Sequence, residues 1–142
     1  MPELILHHYA ISPFAEKMRL VLGFKGVAWR SVDIPAVMPK PDVVALTGGF
    51  RKTPLLQRGA DIYCDTALIA RVLEDAQPSL FPASAPLAPV LAQWADSTLF
   101  WTVVPYTFQP AGVEFIYAGL PPEVARPARH PAHNPVRRHR RG

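Results

Sequence analysis

Leu4-Ile5-Leu6-His7-His8-Tyr9-Ala10-Ile11-Ser12-Pro13-Phe14 is the stretch whose reading decides the fold. Leu4-Ile5-Leu6 is a continuous apolar run, the pattern of a strand buried on both faces. Ser12-Pro13 then pairs an N-cap hydroxyl with a proline at the first helical position, so a helix starts just after the strand ends. Phe14, Met18, Val21 and Leu22 recur at helical spacing, with Glu16, Lys17, Arg19 and Lys25 on the other face. Glu16 near the start and Lys25 near the end both suit the helix dipole, and Gly26 is a stop signal. Ala28 to Ile34 reads as a second strand, closed by Pro35. Strand, helix and strand in this order predict a βαβ unit with a right-handed crossover.

Further along, Pro39 and Pro41 open a segment where Val43, Val44 and Leu46 suit one or two helical turns before Gly48-Gly49. Leu55-Leu56-Gln57 and Ile62-Tyr63-Cys64 are short strands around Arg58-Gly59-Ala60-Asp61, the spacing of an antiparallel hairpin. Asp65-Thr66 precedes Leu68, Ile69, Val72, Leu73 and Ala76, a helix with a capping residue in place. The order β-α-β-(α)-β-β-α fits an α/β fold with a mixed four-stranded sheet over residues 1–77. Pro78 to Pro89 holds four prolines, and residues 78–86 read as a linker. Leu87 to about Val104 is helix-compatible and aromatic, with Trp94, Phe100 and Trp101. Residues 87–120 therefore read as the start of a helical domain, with no comparable further helix expected beyond it.

Charge divides sharply along the chain. The formal net charge is +4, yet residues 121–142 hold six arginines against Glu123 alone, which leaves residues 1–120 at −1. That tail also has five of the 17 prolines, and after Val124 its only large apolar residue is Val136. It has too little apolar surface to offset the entropy of ordering it, and is expected to be disordered. A solvated tail is the favoured reading over nucleic-acid binding, because the tail lacks aromatics and any recognition motif. Cys64 is the single cysteine, so an internal disulfide and a cysteine-only metal cluster are excluded. Its reduced state fits a cytoplasmic protein, as does the absence of a basic segment before the first apolar run. The apolar stretch Leu99 to Phe108 is about half the roughly 20 residues a membrane helix needs, and Pro105 interrupts it. His7-His8 do not form a metal site, since neighbouring strand residues point to opposite faces and no third ligand is near.

Three segments together resemble the N-terminal domain of glutathione S-transferases, over about residues 3–77. They are His8 to Phe14, Lys52-Thr53-Pro54-Leu55-Leu56 and Asp65-Thr66-Ala67-Leu68-Ile69. The resemblance implies a thioredoxin-like fold, βαβ-ββα, followed by the start of the family's all-α domain. It also implies glutathione as co-substrate, no metal, an unidentified electrophile and a homodimer or other self-association. Ser12 stands where serine-type members have their catalytic hydroxyl, and Tyr9 is the rival hydroxyl. Thr53 and Pro54 match the family's cis-proline segment, whose turned-out backbone pairs with the tripeptide. Asp65 and Thr66 match the pair that anchors the γ-glutamyl group. Threonine here replaces the commoner serine but keeps the hydroxyl. The family builds its electrophile pocket largely from the helical domain, which in this sequence looks cut short where the composition changes near Pro121.

The chemistry of these positions supports the same expectations. A thiol of ordinary pKa about 8.5 is mostly protonated at neutral pH and is a poor nucleophile. Lowering that pKa by two units requires about 2.7 kcal/mol, within reach of one hydroxyl donor and a helix N-terminus. Ser12 is suited to supply both, although capping alone also accounts for a serine there. Neither cysteine of a Cys-Pro-x-Cys redox pair is present at Ser12-Pro13-Phe14-Ala15, so dithiol exchange at this site is excluded. Cys64 is expected to be inert packing. Arg51 and Lys52 are read as solvated rather than as ligands of a carboxylate. The alternative of a different class is a non-catalytic glutathione- or protein-binding module, with Trp94 and Trp101 as partner surface.

Overall fold

A computed structural model describes residues 2–116 and 118. Four strands, β1 (Leu4–His8), β2 (Arg30–Asp33), β3 (Leu55–Arg58) and β4 (Asp61–Cys64), form one sheet in the order β2-β1-β3-β4. β1 pairs parallel with β2 and antiparallel with β3, which pairs antiparallel with β4. This is the mixed thioredoxin-like sheet expected from the sequence. β1 is central, which accounts for its continuous apolar run. β2 is shorter than Ala28 to Ile34 and exposed along its whole length, because it lies at an edge and only Arg30–Asp33 pairs with β1.

Helix α1 (Pro13–Phe24) is capped as predicted: Ser12 has extended backbone, and its Oγ accepts the Ala15 N–H at 3.2 Å. The helix buries Ala15, Met18 and Leu22 and ends before Gly26, whose φ of +61° is the left-handed value glycine adopts freely. Lys25 is a correction to the amphipathic reading. Its side chain is fully buried, because Glu74 and the Ala76 carbonyl receive its ammonium at 2.7 and 2.6 Å. Helix α2 (Pro41–Thr47) and helix α3 (Thr66–Val72) complete the layer around the sheet. Strand alternation sorts the core into two clusters. Leu6 and Leu56, paired in register, pack with Met18, Leu22, Ile69 and Leu73. Leu55 packs with Ile34 and Val43 instead.

A first compact unit runs to Ser97, and a second begins at Thr98. The expected linker and helix α4 (Ala88–Trp94) fall within the first. The helix expected over Leu87 to Val104 is present as an unbroken helical run in which Ala95–Leu99 widens to π-helical turns before α5 (Phe100–Thr107). α5 continues past Pro105, and a further short helix, α6 (Pro110–Ile116), follows although none comparable was expected. The predicted disordered tail, residues 121–142, lies outside the described residues. Among the described residues no helix is long and apolar enough to cross a membrane.

Candidate functional site

Register builds the site. His7 lies opposite Leu55, and Leu55 lies opposite Cys64. The segments that leave the sheet just past this row are Tyr9 to Ser12, Thr53-Pro54 and Asp65-Thr66. All three sequence segments singled out above therefore emerge at one end of the sheet. At the opposite end, near Leu4 and Arg58, a recess is lined by Pro2, Leu4, Val27, Leu73 and Ala76 among others.

At the first corner, Ser12 is buried and caps α1 through its Oγ, while its N–H donates to the Tyr9 carbonyl at 3.2 Å. An acceptor role toward Ala15 leaves the Ser12 hydroxyl hydrogen available to a ligand, at the positive end of a 12-residue helix. Tyr9 is half-buried against the Ile34, Val43 and Leu55 cluster. The peptide bond between Thr53 and Pro54 is cis, and the Thr53 backbone makes no backbone hydrogen bond among the described residues.

Lys40, which sequence reasoning passed over, joins these two corners. It is buried, its Nζ donates to Thr53 Oγ1 at 3.2 Å, and it lies 5.1 Å from the centre of the Tyr9 ring. Burial pushes its pKa below the ordinary lysine value. No carboxylate pairs with it among the described residues, so the site holds a desolvated cation with only a hydroxyl and a ring face around it. Nothing in the local sequence distinguishes Lys40 from a surface lysine, and only the fold brings it to Thr53. Arg51 and Lys52 are exposed, in keeping with their solvated reading.

At the third corner, Asp65 adopts φ +78° and ψ 125°, an uncommon conformation for a residue with a side chain. Its Oδ1 accepts from the N–H groups of Ala67 at 2.7 Å and Leu68 at 3.3 Å. Of the N–H groups at the start of α3, those of Ala67 and Leu68 are thus taken by Asp65 itself, and that of Thr66 is not. Thr66 is buried, and its Oγ1 accepts from Lys17 Nζ at 3.1 Å. Cys64 is half-buried rather than sealed in the core, and burial raises its thiol pKa.

Beneath the first corner, His8 Nε2 lies 2.8 Å from Ser31 Oγ and its Nδ1 lies 3.0 Å from Arg19 Nη1. A guanidinium only donates, so Nδ1 is the acceptor and the ring is neutral with its hydrogen on Nε2. Burial, then the Arg19 charge, hold its pKa below the ordinary histidine value against the raising effect of Asp33. Arg19 also donates to the Ala10 carbonyl at 3.0 Å, which braces the loop between β1 and α1. His7 bonds Gln57 at 3.1 Å on the other face. No group of three or more potential metal ligands occurs among the described residues.

A mixed sheet in this order, with helices packed on it, defines a thioredoxin-like domain. The family pattern for the glutathione S-transferase N-terminal domain matches residues 6–82. The chain belongs to the glutathione S-transferase family. It is similar to a GST-like protein from Pseudomonas syringae, with 63% identity over 78% of this chain and 42% of that one, at a TM-score of 0.70. A theta class glutathione S-transferase from Xanthomonas axonopodis pv. citri, solved with glutathione bound, is 27% identical over 69% of this chain and 50% of that one, at a TM-score of 0.54. Rice GST1, solved in complex with glutathione, is 25% identical over 68% of this chain and 47% of that one, at a TM-score of 0.57. No curated protein matches the chain. The chain spans about half or less of the length of these solved relatives.

Proposed function

We propose that the chain binds glutathione at this end of the sheet and holds its thiol as the thiolate for attack on an electrophilic carbon. The observation that carries the reading is the convergence of Ser12, Thr53-Pro54 and Asp65-Thr66 past one row of paired residues. Relatives solved with glutathione bound support the choice of ligand. Each part of the tripeptide has a chemically matched partner. The Thr53 backbone pairs with the cysteinyl peptide unit as a strand edge does. The buried Lys40 ammonium meets the glycyl carboxylate, which neutralises it. Thr66 receives the γ-glutamyl carboxylate, and the second Asp65 oxygen faces its amine.

In the reaction the thiol proton leaves to solvent and the thiolate sulfur forms a bond to the electrophilic carbon, which gives up its bond to a leaving group that departs with the bonding electron pair. The Ser12 hydroxyl donates to the thiolate, and the α1 dipole adds to its stabilisation. The chain contributes orientation and electrostatics, while glutathione supplies the nucleophile. Conjugation also requires a second wall that holds the electrophile within about 3–3.5 Å of the sulfur.

Calorimetric titration with glutathione and ultraviolet titration of the bound thiolate test the reading. Ser12→Ala should raise the bound thiol pKa, and Lys40→Met should weaken binding without moving that pKa. An unchanged pKa in Ser12→Ala, with a raised one in Tyr9→Phe, would transfer the role to Tyr9. No binding by the wild-type chain would overturn the ligand assignment. Tight binding with no turnover on a generic aromatic electrophile would favour the non-catalytic binding module.

A further inference from the structure

The loop between β1 and α1 is held from two sides. Within it, the Ser12 N–H closes a turn on the Tyr9 carbonyl at 3.2 Å. From outside, Arg19 Nη2 donates to the Ala10 carbonyl at 3.0 Å, and Nη1 of the same guanidinium donates to His8 Nδ1 at 3.0 Å. Glu16, one turn earlier on α1, accepts the Arg19 Nε–H at 2.7 Å. Of these three acceptors only the His8 ring can be switched off by a proton near neutral pH. Its Nε2 hydrogen is already placed on Ser31 Oγ at 2.8 Å, so an added proton goes to Nδ1, where it meets a group that only donates. The charged groups facing the buried ring are Arg19, with its partner Glu16, from α1 and Asp33 from β2, which lies beside His8 in register. Trp29 adds an edge-on ring at 6.1 Å, and His7 bonds Gln57 on the opposite face.

We propose that Arg19, aimed by the neutral His8 ring, is a positioning residue for the loop that carries Ser12, and that protonation of His8 releases this brace. The proposal rests on the reading given above, in which the Ser12 hydroxyl donates to the glutathione thiolate. A proton on Nδ1 removes the acceptor for Nη1 and sets two cations side by side. The guanidinium then turns toward Glu16 and solvent, and the Ala10 carbonyl loses its donor. Ser12 is two residues from that carbonyl, so its hydroxyl is no longer held to one direction. Burial and the Arg19 charge outweigh the effect of Asp33, which puts the release below the ordinary histidine range. Glutathione binding is thereby tied to the protonation of a ring that never touches the ligand, and the coupling is reciprocal.

Calorimetric titration with glutathione from pH 8 to 5, on the full chain of the wild type, His8→Gln and Arg19→Met, tests the coupling. Glutamine accepts from Arg19 and donates to Ser31 as the neutral ring does, but takes up no proton. The ratio of wild-type to His8→Gln affinity cancels the titration of glutathione itself. That ratio should be flat near pH 8 and fall by up to about tenfold toward pH 5, the size of one charge-assisted hydrogen bond. Arg19→Met should raise the bound thiol pKa, as Ser12→Ala does, and abolish the fall. In the free chain, the amide NMR signals of Ala10 to Ser12 should titrate together with the His8 ring in the wild type, and not in Arg19→Met. A flat ratio over the range in which NMR shows His8 gaining its proton would overturn the proposal. So would an Arg19→Met variant that melts lower but keeps the bound thiol pKa, since that is a purely structural role. Failure of the wild type to bind glutathione would overturn the ligand reading alone, and the amide titration of the free chain would still decide the brace. That titration, with Arg19→Met as its control, also decides it should His8→Gln not fold.

Discussion

Replacing Glu74 by glutamine should destabilise the chain more than any other single isosteric change among its ion pairs. Glu74 Oε1 receives the fully buried Lys25 ammonium at 2.7 Å and the Leu80 N–H at 2.8 Å, while Oε2 receives Ser79 Oγ at 2.6 Å. These donors outweigh burial and bring its pKa from 4.5 down to about 2. A shift of that size corresponds to about 3 kcal/mol, and screening of a side chain 26% exposed reduces it to roughly 1–2. Because the folded-state pKa is depressed, this stability is fully present above about pH 5 and is lost as pH falls toward about 2. Glu74→Gln also leaves the Lys25 charge buried without a countercharge, so about 2 kcal/mol should be lost at pH 7. Lys25→Met should lose less, since Glu74 then keeps Ser79, Leu80 and its share of water. Urea unfolding at pH 7, 5, 4 and 3 measures all of this. The gap between wild type and Glu74→Gln should narrow steadily below pH 5. A loss under about 0.5 kcal/mol at pH 7, or a gap that does not change with pH, would refute the reasoning.

Ser12→Ala should also lose about 1 kcal/mol of stability through its cap, readable by the same unfolding experiment. The His8 ring should protonate at a lower pH than an ordinary histidine, and stability should fall as pH drops below the ordinary histidine value, because the unfolded chain gains the proton first. Proton NMR titration checks this, and Arg19→Gln should move the His8 pKa upward. The Cys64 thiol should react with iodoacetamide more slowly in the folded chain than in urea at pH 8, since a raised pKa leaves less thiolate; equal rates in mass-spectrometric time courses would contradict it.

Much of the first unit is legible in the sequence because its elements are punctuated locally. Ser12-Pro13, Gly26, the Gly59 turn and Asp65 each mark an element boundary through backbone chemistry that needs no tertiary partner. The candidate site was accessible to the same degree, since Ser12, Thr53-Pro54 and Asp65-Thr66 sit at those boundaries. Lysines are a different case. Lys17, Lys25 and Lys40 look alike in a hydropathy pattern, and each was either assigned to a solvated face or passed over. Their roles depend on residues 49 to 79 positions away for Lys17 and Lys25, and 13 away for Lys40. Spacing along one helix carries no record of such partners.

By itself, then, the sequence determined the strand and helix order, the capping residues and the three segments at which a ligand is expected, because propensity, capping and period act over a few residues. Tertiary structure alone decided that β1 is central, that β2 is an exposed edge, and that the His7, Leu55 and Cys64 row brings the three segments to one end. It alone decided which charged side chains are buried. Sheet register and desolvation are set by packing between distant parts of the chain, and a buried ammonium exists only where folding has assembled the acceptors that hold it.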